Sequence, residues 1–241
     1  MPEFLTTTAP AAISVTGAVV SAYYGHRLGR NARLEEADRL ALRFREPLLQ
    51  SAFNLQSRLY NIARMDFLGL FLMDAAATDQ EREYAVQNTV YLFGQYLGWV
   101  EVIRRESQYM DPRSRARNRE IVAALERVRW TLADSRQLTE PTLRIFRGEQ
   151  RAIGEVMLVA TSAEGGLPRW ETKGYAQFID DRAAPPVHRW FGQLEDDVAR
   201  LGKEPHLHGD RLTTLQRSLL GLIDVLDPDG ERVPLAERER L

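Results

Sequence analysis

Between Leu34 and Leu226 apolar side chains return at alternating three- and four-residue steps, and this spacing is what most limits the folds open to the chain. Leu34, Ala37, Ala41, Phe44, Leu48, Ala52, Leu55, Leu59 and Ile62 form the first such stripe, which predicts a long amphipathic helix. Pro47 removes one backbone donor and crowds the carbonyl of Arg43, so a kink or restart is expected near Glu46. Asp74 to Gln80 is a polar break. A second helix is expected over residues 81–109, and its centre, Val90 to Ile103, is apolar on nearly every side. That marks a core helix surrounded by others, too short in its apolar part for a membrane span.

Asp111 and Pro112 signal a restart, and Ile121, Leu125, Val128 and Leu132 carry a third helix to about Ala133. Pro141 suits the first turn of a fourth, expected to run to about Ala160. Thr161 to Gly174, with Gly165, Gly166, Pro168 and Gly174, is the longest evident loop and a candidate hinge or lid. Two more helices follow, one after Pro186 and one through Leu212, Leu215, Leu219, Ile223 and Leu226 that stops at Asp227, Pro228, Asp229 and Gly230. No run alternates as a strand does. The expected fold is all-α, a multi-helix bundle, with a charged and mobile tail from Glu231 to Leu241.

Upstream of the stripe, Phe4 to Gly25 carries no charged side chain. A helix of about 20 such residues matches a hydrocarbon layer of roughly 30 Å. Glu3 precedes the segment and His26, Arg27, Arg30 and Arg33 follow it, so the bias toward positive charge on the cytoplasmic side places the N-terminus outside and the remainder in the cytoplasm. A cleaved signal peptide fits less well, since the basic residues follow the apolar run. The competing expectation is a weakly apolar soluble helix or a frayed tail. The chain thus divides into an apolar segment over 1–30, a helical domain over 31–230 and the tail over 231–241.

Composition narrows the chemistry. Net charge is -2, so no global basic excess points to nucleic acid as a partner. Cysteine is absent, which removes disulfides, thiolate metal sites and a cysteine nucleophile. Lys173 and Lys203 are the only lysines, a bias toward arginine associated with GC-rich bacterial genomes. No phosphate-binding glycine loop, nucleophile elbow, zinc-binding histidine pair or calcium loop occurs.

The phrases Leu55-Gln56-Ser57-Arg58-Leu59-Tyr60-Asn61-Ile62, Gly98-Trp99-Val100-Glu101-Val102-Ile103-Arg104-Arg105-Glu106 and Phe146-Arg147-Gly148-Glu149-Gln150-Arg151-Ala152-Ile153-Gly154-Glu155 resemble those of a group of uncharacterised bacterial proteins. The resemblance covers most of the chain and implies the same architecture, a short apolar N-terminus before an all-helical domain. It implies no activity and no catalytic residue.

Local constellations supply the candidate sites. Arg147, Arg151 and Glu155 share a stripe, beside Glu149 and Gln150, while Gly148 and Ala152 permit close approach. An arginine pair there binds phosphate or carboxylate, or Arg151 simply pairs with Glu155. Glu101 lies inside the most apolar helix: buried alone its pKa would rise and suit acid–base work, but Arg104 or Arg105 stands close enough to neutralise it. Arg113, Arg115, Arg117 and Arg119 form a basic run suited to lipid head groups or an acidic partner. His206 and His208, with Glu204, Asp210 or His188, fall short of a metal signature, so no metal and no cofactor is expected.

The leading expectation is a single-pass, cytoplasm-facing interaction protein of the bacterial inner membrane, a scaffold, sensor or regulatory subunit, with the lipid bilayer and an unidentified protein as partners. One alternative is an enzyme or small-molecule binder using Glu101, Arg147, Glu149, Gln150 and Arg151. Another is a soluble homo-oligomer assembled through its apolar N-termini.

Overall fold

The computed structural model describes residues 44–106, 115–135, 143–162, 168–204 and 209–241, all within one unit that runs from Phe44 to Leu241. The apolar segment at residues 4–25, the start of the first stripe, Arg113, Pro141, His206 and His208 lie outside the described residues. Among the described residues no helix is long and apolar enough to cross a membrane.

Helix α1 covers residues 44–65, and its stripe goes where the spacing predicts: Leu48, Ala52, Leu55, Leu59 and Ile62 are all buried. The helix is continuous across Pro47 from Phe44 onward. It stops earlier than the expected polar break, because Asp66 takes a left-handed conformation (φ 50°), which a short polar side chain tolerates. Helix α2 (Phe67–Leu72) restarts from it, and the Arg58 guanidinium sits 3.9 Å from the centre of the Phe67 ring across the corner. Thr78 and Glu81 then cap α3 reciprocally: the Thr78 N–H donates to Glu81 Oε2 at 2.8 Å and the Glu81 N–H to Thr78 Oγ1 at 3.3 Å.

Helix α3 (Asp79–Glu106) is the core helix that its apolar circumference predicts. Val90, Phe93, Tyr96 and Val102 are fully covered. It packs against α2, α5 (Arg147–Val156), α6 (Tyr175–Asp181) and α7 (Pro185–Lys203), while α4 (Arg115–Ala133) lies mainly on α8 (Gly209–Leu226). The crossing of α3 and α5 is close: a Cβ at Gly154 would lie 2.7 Å from the Leu97 carbonyl oxygen and 2.9 Å from Glu101 Cβ.

The chain departs from the expected fourth helix at both ends. Leu143 occupies a left-handed conformation (φ 56°), held by burial and by donation of its N–H to Asp197 Oδ2 at 2.8 Å, so no helix passes through it. Helix α5 begins at Arg147, after the Phe146 N–H donates to Glu149 Oε2 at 2.8 Å. It ends at Val156, where β-branched Val159 and Thr161 favour strand. Strands β1 (Leu158–Ser162) and β2 (Pro168–Thr172) pair antiparallel with Leu158 opposite Thr172 and Ala160 opposite Trp170. This hairpin corrects the assignment of helix to Ala160 and of loop from Thr161 to Gly174. The fold is mostly helical, with the hairpin added to the bundle.

The tail is also held. Val233 is buried, and the Arg238 side chain, 6% exposed, pairs with Asp227 and Asp224 at 2.9 Å each. Asp227 accepts the N–H groups of Glu231, Arg232 and Val233, while Gln216 Nε2 donates to the Glu239 carbonyl. Charge alone suggests mobility, but here the buried Arg238 finds Asp224 on α8 and the buried Asp227 just after it.

Candidate functional site

Helices α3, α4 and α5 line a half-open pocket of about 210 Å³. Leu97, Val100, Glu101, Ile103 and Arg104 line it from α3. Val122, Leu125, Glu126 and Arg129 come from α4, and Gln150 and Arg151 from α5. Of the sequence candidates, Glu101, Gln150 and Arg151 are therefore brought together. Arg147 and Glu149 are not part of the lining.

Glu101 is only 3% exposed. Arg104 grips it with two nitrogens, Nε to Oε2 at 2.7 Å and Nη2 to Oε1 at 2.6 Å, and Arg105 Nε adds a third contact to Oε1 at 2.9 Å. Burial pushes this carboxyl up, but the hydrogen bonds and charges of the two arginines outweigh it and leave it below the ordinary glutamate range. Of the two options for Glu101 the geometry gives the neutralised one: it is an anion clasped by Arg104 and Arg105 of its own helix. Arg105 also lies 4.8 Å over the Trp170 ring, which ties this pair to the hairpin.

Gln150 is 4% exposed, and its Nε2 donates to the carbonyls of Ile145 (2.8 Å) and Arg129 (3.0 Å). Its Oε1 is buried and has no hydrogen-bond partner among the described residues. Arg151 Nε pairs with Glu155 at 2.9 Å, the i,i+4 pairing that spacing predicts, and remains well exposed. Arg147 instead reaches across to Glu126 at 3.1 Å and lies 4.7 Å from the Trp130 ring. Glu149 serves the α5 N-terminus.

An exposed face adjoins the pocket. Val122, Glu126 and Trp130 stand at four-residue spacing on α4, and Val122 and Trp130 are 58% and 65% exposed. Phe146, 49% exposed, lies beneath the Arg144 guanidinium at 4.9 Å. Sequence reasoning overlooked this face. Its signal was a tryptophan off the Leu125–Val128–Leu132 core stripe, where water rather than packing awaits it.

Among the basic run, Arg119 is exposed on α4, Arg115 and Arg117 belong to the same helix, and the structure describes no side chain for either of those two. His188 is exposed on α7, and among the described residues no group of histidine and carboxylate side chains is arranged to hold a metal. Two other buried groups stand apart from the pocket lining. Burial pushes the Tyr96 hydroxyl up, and it has no partner among the described residues. Burial also pushes Asp197 up, against the hydrogen bonds from Gln193 and the Leu143 N–H and the charge of Arg200. No family model, curated protein or solved structure matches the chain.

Proposed function

We propose that this chain is a helical interaction protein tethered to a membrane through residues 4–25, whose α4–α5 face docks an acidic segment of a protein partner. The observation that carries the reading is the exposure of Trp130, Val122 and Phe146 together, with Arg147 and Arg144 lying over the two aromatic rings. Tryptophan and arginine are the side chains that most often dominate binding energy at protein interfaces. Exposed as they are here, they support partner contact better than they support the bundle. The arginines select an acidic counterpart, and the aromatic rings supply the apolar area that anchors it. The chargeless stretch from Phe4 to Gly25, followed by basic residues, supports the tether.

A photoreactive residue placed at Val122 in intact cells tests the docking face, with the equally exposed Met65 of α1 as reference. A discrete adduct is expected from Val122 alone, and the double charge reversal Arg144→Glu with Arg147→Glu is expected to abolish it. Identical adducts from both positions, or adducts indifferent to the charge reversal, would overturn the assignment.

A further inference from the structure

The pocket beneath the docking face has a chemistry of its own. We infer that it binds a small monocarboxylate that has an apolar body of about one ring. Size comes first: a cavity of roughly 150 Å³ lined by aliphatic side chains accepts benzene, so the 210 Å³ here accommodates a ring with short substituents. Leu97, Val100 and Leu125 supply walls suited to that ring.

Charge selects the head group. Arg129 and Arg151 both line the pocket, and in the described ion pairs each uses one nitrogen, Nη1 to Glu126 and Nε to Glu155. A guanidinium offers five N–H donors in a fixed fork, so both retain donors for a carboxylate. Glu101 and Glu126 share the lining, and their negative charge disfavours a second acidic group on the ligand, which is why a monoanion is specified.

Gln150 adds a fixed wall and no ligand contact: its Nε2 is held by two carbonyls, and its Oε1 is sealed within the protein. The assignment does not depend on docking, because neither Arg144 nor Arg147 lines the pocket.

Calorimetric titration of the full chain with phenylacetate tests it, alongside phenylacetamide. Saturable binding of the first is expected. Loss of the probe's charge in the amide, or of the protein's in Arg151→Ala, is expected to weaken it about tenfold. Val122→Trp, a change at an exposed rim position that spares the core, is expected to block entry. Absence of saturable binding to the unaltered chain would overturn the inference. So would binding that neither Arg151→Ala, Val122→Trp nor the amide alters.

Discussion

Single side chains carry much of the precision in this bundle, and two glycines of α5 separate cleanly. Gly154 sits where a Cβ would press on the Leu97 carbonyl at 2.7 Å, whereas nothing lies within 4 Å of a Cβ at Gly148. Gly154→Ala is therefore expected to destabilise by about 1–3 kcal/mol through forced separation of α3 and α5. Gly148→Ala should stabilise by about 0.4–1 kcal/mol by restricting the unfolded chain. Thermal unfolding of both variants checks the pair, and equal effects would contradict the close crossing. Trp130→Ala removes an exposed ring, so its effect on stability is expected to stay within about 0.5 kcal/mol while partner crosslinking falls. Three of the eleven pocket residues were legible at this scale as site candidates, Glu101, Gln150 and Arg151: Glu101 stands out as the acid within the apolar run, and the Arg151–Glu155 pair follows from spacing. The ion partner of Arg147 was not legible, because Glu126 belongs to another helix and local spacing carries no record of it.

Elements show the same division between what is local and what is not. The stripes of α1, α3, α7 and α8 follow from periodicity, since each buries the residues that recur at helical steps. The hairpin was hidden because Leu158 to Ser162 continues directly from an amphipathic helix and its pairing with Pro168–Thr172 is set by a partner rather than by alternation. The tail was hidden for an electrostatic reason: Arg238 reads as one more surface charge until Asp227 is found at the end of α8. Arg238→Ala leaves the Asp227 carboxylate buried and without its cation, a change expected to cost about 3–5 kcal/mol. Amide exchange at residues 231–241 should accelerate with it, and unchanged protection there would contradict the clamp. Acid provides an independent test. Burial raises Asp227, but the three backbone N–H groups and Arg238 prevail and hold it below the ordinary aspartate range, as the arginines do for Glu101. Groups depressed in this way stabilise the fold above their unfolded values, about 3.9 for aspartate and 4.3 for glutamate, and lose that contribution as pH falls through the folded ones. Asp197 is raised, so its contribution has the opposite sign and declines as pH rises from the unfolded value toward the folded one. Denaturant midpoints measured from neutral pH down through this range should fall, and Asp227→Asn with Glu101→Gln should flatten the slope.

At the scale of the whole molecule, a mostly helical bundle followed from stripes and breaks, while the packing partners of each helix did not. Long-range contacts such as α4 on α8 and α5 on α3 depend on shape complementarity between stripes that look alike in sequence. The function proposed above has two parts, a membrane tether in residues 4–25 and a partner-docking face on α4 and α5. The most direct measurement is fractionation of cells expressing the full chain or a chain that begins at Asn31, with membranes washed first in high salt and then in alkaline carbonate. A membrane tether predicts that the full chain alone stays with the membranes through both washes. Release of the full chain into the same soluble fraction as the shortened one would contradict it.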